Sequence, residues 1–259
     1  MAAAPVNLHV TEAGNGNPAL VFLHYMGGSG RTWTEVIDRL SGAQRCIAPD
    51  LRGWGASPQD CDQFGLEAMA DDVAAMIEDL GLAEYVLVGH SMGGKISQML
   101  AGRRPPGLVG LVLVAPAPPA PLTVPAESRQ VALERYQSRE GMQEVFPILA
   151  ERPLSPEIRE RVIADTLGAA HGAKQAWFES GMDLDITAAA AAIEAPTLVI
   201  VGTADQVETE ASLRREFGRH LPHATFQILQ GVGHLAPLEA PDEVADMIGK
   251  FVAHSPRKS

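Results

Sequence analysis

The sequence predicts an α/β fold: a mostly parallel sheet covered by helices on both faces. Three observations carry this. Short continuous apolar runs, the kind buried on both sides of a parallel sheet, recur along the chain. Amphipathic helical patterns alternate with them. One stretch, residues 117–190, breaks the alternation with helical patterns alone. At 259 residues, the chain is long enough for one large domain or a domain carrying an inserted piece.

The elements follow in order. NLHVTEA (7–13) alternates as a strand does, and PALVFLHY (18–25) is the first continuous apolar run. RTWTEVIDRL reads as a helix, and QRCIAPD (44–50) as the next strand. Leu66, Met69, Val73, Met76, Ile77 and Leu80 fall on one helical face, and Gly81 is a stop signal for that helix. AEYVLVGH (83–90) is another buried strand, followed by a helix in MGGKISQMLAGRR. Further strands are expected at 107–116, 195–202 and 224–229, with helices at about 209–220 and 241–253. Between them APPAPLTVP, at 117–125, cannot continue a helix or a central strand. Helical patterns such as EIRERVIADTL follow, and the alanine-rich 186–195 also reads as a helix. The expected organisation is a core of residues 1–116 and 191–259, with residues 117–190 as a helical insertion over the sheet.

A net charge of −12 repels phosphate backbones and anionic membranes, so neither nucleic acid nor a membrane surface is an expected partner. No segment approaches the roughly 20 apolar residues that span a bilayer. Cys46 and Cys61 are too few for a disulfide framework and read as free thiols. The N-terminal segment lacks the basic start and apolar stretch of a signal peptide, and a cytoplasmic location is the default expectation. No Cys/His cluster or H-E-x-x-H suggests a metal, so no metal or organic cofactor is expected.

The stretch YVLVGHSMGGKISQ (85–98) places Ser91 between Gly89 and Gly93, after a strand and before a helix. A sharp strand-to-helix turn strains the serine and crowds the residues two away on either side, which the glycines relieve. The turn lifts the hydroxyl above the sheet edge at a helix N-terminus, where unpaired N–H groups stabilise an anion. Such a serine needs a base, and the base an orienting acid. His234, in LQGVGHLAPLEAP, stands after the last strand on a loop that Gly231 and Gly233 let bend. Asp205, in GTADQVE, follows the strand before it, with Glu208 as the fallback acid. Asp50 reads as a carboxylate holding loop N–H groups, and His24 as a brace for its loop. His90, next to the serine, is a poor base candidate.

The order Ser91, Asp205, His234 is that of α/β-hydrolases. The chain resembles a capped, esterase-like member of the α/β-hydrolase superfamily over nearly its whole length, through LHYMGGSG, PDLRGWGAS, GHSMGG, GTAD and GVGHLAPLEAP. The resemblance implies an eight-stranded, mostly parallel sheet, a Ser-Asp-His triad at 91, 205 and 234, and a lid at 117–190. Acyl transfer needs two N–H groups on the oxyanion. One belongs to Met92, directly after the serine, and the resemblance places the other at Met26. The family often has His-Gly where this chain has His24-Tyr25. Either Tyr25 packs under the loop while Met26 still donates, or its hydroxyl reaches the site; both readings stand at this stage.

The expected reaction is hydrolysis of small-molecule carboxylic esters through an acyl-enzyme. Lactone hydrolysis, carbon–carbon cleavage and perhydrolysis use the same triad, and some proteins of this fold bind a ligand with little turnover. A haloalkane dehalogenase would need a carboxylate at position 91. Val124, Phe146, Leu149, Trp177 and Phe178 are candidates to line an apolar pocket, or else pack the insertion on the sheet. Arg135 and Arg139 either meet an anionic substrate or sit on a solvated face with Glu134 and Glu140. The oligomeric state is not legible.

Overall fold

The strands are β1 (Val10–Ala13), β2 (Ala19–Leu23), β3 (Cys46–Pro49), β4 (Tyr85–His90), β5 (Leu108–Val114), β6 (Thr197–Gly202) and β7 (Thr225–Leu229). They form one sheet in the order β1-β3-β2-β4-β5-β6-β7 in a computed structural model that describes residues 4–254. Residues 1–3 and 255–259, at the ends of the expected core, lie outside the described residues. Only β1 runs antiparallel, against β3; the other neighbours are parallel.

The helices are α1 (Thr34–Leu40), α2 (Leu66–Asp79), α3 (Met92–Gly102), α4 (Ala126–Arg135), α5 (Arg139–Leu149), α6 (Pro156–Gly168), α7 (His171–Ala176), α8 (Thr187–Ala191), α9 (Glu210–His220), α10 (Ala236–Glu239) and α11 (Pro241–His254). No helix among the described residues is long and apolar enough to cross a membrane.

Seven strands, not the eight implied by the resemblance, are present among the described residues. The segment before β1 engages side chains instead of a partner strand. Val6 N–H donates to Asp72 Oδ1 (2.8 Å), and His9 N–H to Ser57 Oγ (2.8 Å). Pro5 has no N–H to offer a ladder.

The alternation of side chains along a strand divides the core in two. Leu20, Phe22, Val86 and Val88 face α1 and α11, packing with Val36, Leu40, Val244 and Ile248. Val21, Leu23, Leu87 and Leu111 face the other way, toward α2, α3 and the helices of 117–190. A buried pair, Arg52 Nη2 to Asp72 Oδ1 and Nε to Oδ2 (both 2.5 Å), ties the loop after β3 to α2. Its bidentate geometry offsets the desolvation of both charges.

Residues 117–190 carry helices and no strand among the described residues. Ser138 and Ser155 cap α5 and α6 by accepting from Gly141 N–H and Ile158 N–H. The apolar side chains of this segment join the core on that face of the sheet. Thr166 Oγ1 donates to Gly27 O (2.8 Å), and Leu235 N–H to Leu149 O (3.0 Å), so the segment grips loops after β2 and β7. The alanine-rich stretch is helical only as α8, which runs across position 190. It lies so close to α3 that a Cβ on Gly102 would meet the Ala189 backbone.

Candidate active site

The chain reverses direction across the sheet between β2 and β4, and the loops at the carboxyl ends there form the crevice where open α/β sheets hold ligands. Ser91 leaves β4 with φ 51° and ψ −114°, a conformation that costs a non-glycine residue about 1–3 kcal/mol. The packing that enforces it is backbone against backbone. A Cβ on Gly93 would fall on the carbonyl oxygens of Leu23 and His24, and one on Gly89 on Ser97 Oγ and Gly93 O. Ser91 therefore opens α3 with its side chain free of capping duty.

His234 Nε2 lies 3.0 Å from Ser91 Oγ, and its Nδ1 lies 2.9 Å from Asp205 Oδ2. An ionised carboxylate only accepts, so Nδ1 carries the proton and Nε2 accepts from the serine hydroxyl. The other Asp205 oxygen, Oδ1, accepts from Val207 N–H (2.8 Å) and Glu208 N–H (2.9 Å), which fixes the carboxylate plane. All three side chains are buried. Burial by itself lowers the His234 imidazole, but the Asp205 charge and hydrogen bond hold it above the ordinary histidine value.

Further side chains hold this arrangement. His90 Nε2–H donates to His234 O (2.8 Å), so the residue before the serine anchors the His234 backbone. Burial keeps His90 well below the usual histidine range and therefore neutral. Glu239 Oε2 accepts from Glu151 N–H, Arg152 N–H and Gly233 N–H (2.9, 2.8 and 2.9 Å), joining the His234 loop to the end of α5. Neither role has a motif. The only sequence signal was the proximity of His90 to Ser91 and of Glu239 to His234. His24 braces its loop: Nδ1–H donates to Tyr25 O (2.8 Å), and Nε2 accepts from Leu51 N–H (3.0 Å). Asp50 accepts from Gly30 N–H and Ala56 N–H (2.7 and 2.8 Å).

Met26 and Met92 are both buried, and their backbone N–H groups bond to no other part of the described chain. Tyr25 packs beneath the loop against the His90 ring, with centroids 5.0 Å apart. Its hydroxyl is buried without a partner. Tyr25→Phe removes an unsatisfied buried group, so thermal unfolding is expected to show stability unchanged or raised by about 1 kcal/mol, and ester turnover within about twofold of native. A large loss of kcat at unchanged stability would instead put the hydroxyl at the reacting atoms.

A cavity of about 180 Å³ opens beside Ser91 and His234. Tyr25, Leu149, Trp177, Phe178, Met182 and Glu208 are among its walls. Phe146, expected as a substrate contact, does not line it. Helical residues one step apart differ by about 100° of rotation. Val145 and Leu149 share the cavity face of α5, and this turns Phe146 to an outer groove, where Arg159 lies over its ring at 4.4 Å. Val124 is likewise absent from the cavity wall. Arg135 does reach the wall, paired with Glu144 (3.2 Å), while Arg139 pairs with Glu160 (2.7 Å), with Glu140 adding only its charge nearby. Cys46 and Cys61 are free thiols. Among the described residues, no cluster of three or more His, Cys, Asp or Glu is placed to hold a metal ion.

The family model described as alpha/beta hydrolase family matches residues 20–247. The putative non-heme bromoperoxidase BpoC of Mycobacterium tuberculosis (strain ATCC 25618 / H37Rv) is 30% identical, covering 96% of this chain and 98% of its own. The sn-1-specific diacylglycerol lipase ABHD11 of Mus musculus is 27% identical, covering 96% of this chain and 85% of its own. Among solved structures, a thermophilic esterase from Thermogutta terrifontis, malate bound, superposes with a TM-score of 0.79 at 28% identity, covering 95% of this chain and 93% of its own.

Proposed function

The chain is a hydrolase that belongs to the alpha/beta hydrolase family, and from that premise we propose that it cleaves carboxylic esters of small molecules through an acyl-enzyme on Ser91. The observation that carries the reading is the unbroken hydrogen-bonded line from Ser91 Oγ through His234 to Asp205, at 3.0 and 2.9 Å, on the wall of an apolar cavity. The esterase and lipase among its relatives support the choice of ester.

In the proposed cycle, the Ser91 hydroxyl attacks the ester carbonyl while His234 Nε2 takes its proton. Asp205 keeps Nδ1 protonated and stabilises the imidazolium. The N–H groups of Met92 and Met26 receive the charge that develops on the carbonyl oxygen; donors of this kind contribute about 2.7–4 kcal/mol each to such transition states. His234 then returns the proton to the leaving alcohol, and water activated by the same nitrogen frees the acid. The helices of 117–190 act as a lid that excludes bulk water from this chemistry.

Turnover of a p-nitrophenyl ester is expected to begin with a burst stoichiometric with the chain, and a fluorophosphonate to label Ser91 and abolish it. Acyl chains of graded length assayed beside lactones define the ester class. A protein that neither bursts nor labels is a binding member of the fold, and this reading fails.

A further inference from the structure

The proposed cycle leaves one buried acid unused. Glu208 lies three residues beyond Asp205, to which it gives only its backbone N–H (2.9 Å). Glu208 lines the cavity shared with Ser91 and His234, and the residue is only 5% exposed. Its carboxyl has no hydrogen-bond partner among the described residues. It is not a spare triad acid, because both Asp205 oxygens are already committed, one to His234 and the other to two backbone N–H groups.

The groups around Glu208 come from several elements. His234 stands on the loop after β7, and Asp205 precedes Glu208 on its own loop. Lys95 acts from α3, where its ammonium is buried with one long contact to Ala120 O (3.5 Å). Arg135, from α4, shares the cavity wall but is paired with Glu144. Burial pushes the Glu208 carboxyl up to about 8, with Asp205 adding and His234 and Lys95 opposing. Near neutral pH it is therefore an O–H donor facing a largely apolar cavity. A ligand that fills the cavity excludes water from this carboxyl, so the carboxyl favours a ligand that supplies the complementary acceptor atom.

We propose that Glu208 is a specificity-determining residue: its carboxyl donates a hydrogen bond to a second oxygen acceptor carried by the substrate, so the cavity selects oxo esters over plain hydrocarbon esters. This rests on the ester-hydrolase reading above. A site built to hydrogen-bond a substrate group discriminates against the analogue lacking it more strongly than an apolar pocket discriminates by size.

The test compares kcat/KM for matched pairs: p-nitrophenyl 4-oxopentanoate against pentanoate, and 3-oxobutyl acetate against butyl acetate. At about pH 6.5 the native protein is expected to favour the oxo member of at least one pair by roughly tenfold or more. Glu208→Gln keeps an N–H donor and should keep the preference. Glu208→Leu has no donor and should bring the ratio to about one. Raising the pH through about 8 should erode the preference in the native protein, as the carboxyl loses its proton, but not in Glu208→Gln. Turnover of both members of each pair without discrimination, or a preference that survives in Glu208→Leu, overturns this proposal alone. Turnover of no ester in either pair overturns the ester reading and this proposal with it.

Discussion

Ser91→Ala is expected to lower kcat by roughly 10⁴–10⁶-fold while the protein stays folded. Among the described residues, the only side-chain bond lost is that from Oγ to His234 Nε2, and the alanine Cβ occupies the same place in the turn. The strain at φ 51° is held by backbone packing around Gly89 and Gly93, not by the hydroxyl, so it persists in the variant. Circular dichroism and thermal unfolding should therefore match the native protein. Ser91→Gly, equally inactive, should unfold about 1 kcal/mol later because glycine tolerates this backbone. The residual rate in both variants reports what the proposed oxyanion donors, the Met26 and Met92 N–H groups, and the cavity achieve without a nucleophile. Near-native turnover by Ser91→Ala would remove this serine from the mechanism.

How much of this was legible in the sequence depends on the scale of the interaction involved. The parallel strands announce themselves because burial on both faces makes runs such as Ala19–Leu23 and Tyr85–His90 continuously apolar. The residues that meet at the carboxyl edge of the sheet were legible because strand ends and glycine punctuation locate loops, and Ser91, Asp205 and His234 each follow a strand. What escaped was set by rotation and burial in three dimensions. Phe146 and Leu149 are equally apolar, yet the orientation of α5 puts only Leu149 on the cavity. Arg135 had nearer acidic neighbours in sequence but pairs with Glu144, on the adjacent helix α5. Asp-Gln-Val-Glu at 205–208 reads as a polar loop, and nothing in it reveals that Glu208 is buried against the cavity. The eighth strand was carried by resemblance alone; in this chain the backbone before β1 is engaged by Asp72 and Ser57.

Asp205→Asn is the second large effect, an expected loss of about 10⁴ in kcat/KM, and the geometry gives its cause. Oδ1 of Asp205 accepts two N–H bonds, from Val207 and Glu208. In the asparagine variant, that position is best filled by the amide oxygen, which turns the amide NH₂ toward His234 Nδ1. Nδ1 must then accept, so the imidazole proton moves to Nε2, where it faces the Ser91 hydroxyl that the base should deprotonate. The fold survives because both residues have the same shape, but the base is held in the wrong tautomer. The pH profile supplies an independent reading. His234 must be neutral to act, and the Asp205 charge holds it above the ordinary histidine value, so native kcat/KM should rise with pH along a limb centred above about 6.5. Removing that charge takes away the largest opposition to burial and leaves only the smaller pull of Glu208 and Glu239 against it, which moves the limb of Asp205→Asn to lower pH. A variant whose activity stays within tenfold of native, with its limb unmoved, would transfer the orienting role to another carboxylate. Glu208, against the same cavity, would be the first to replace in turn.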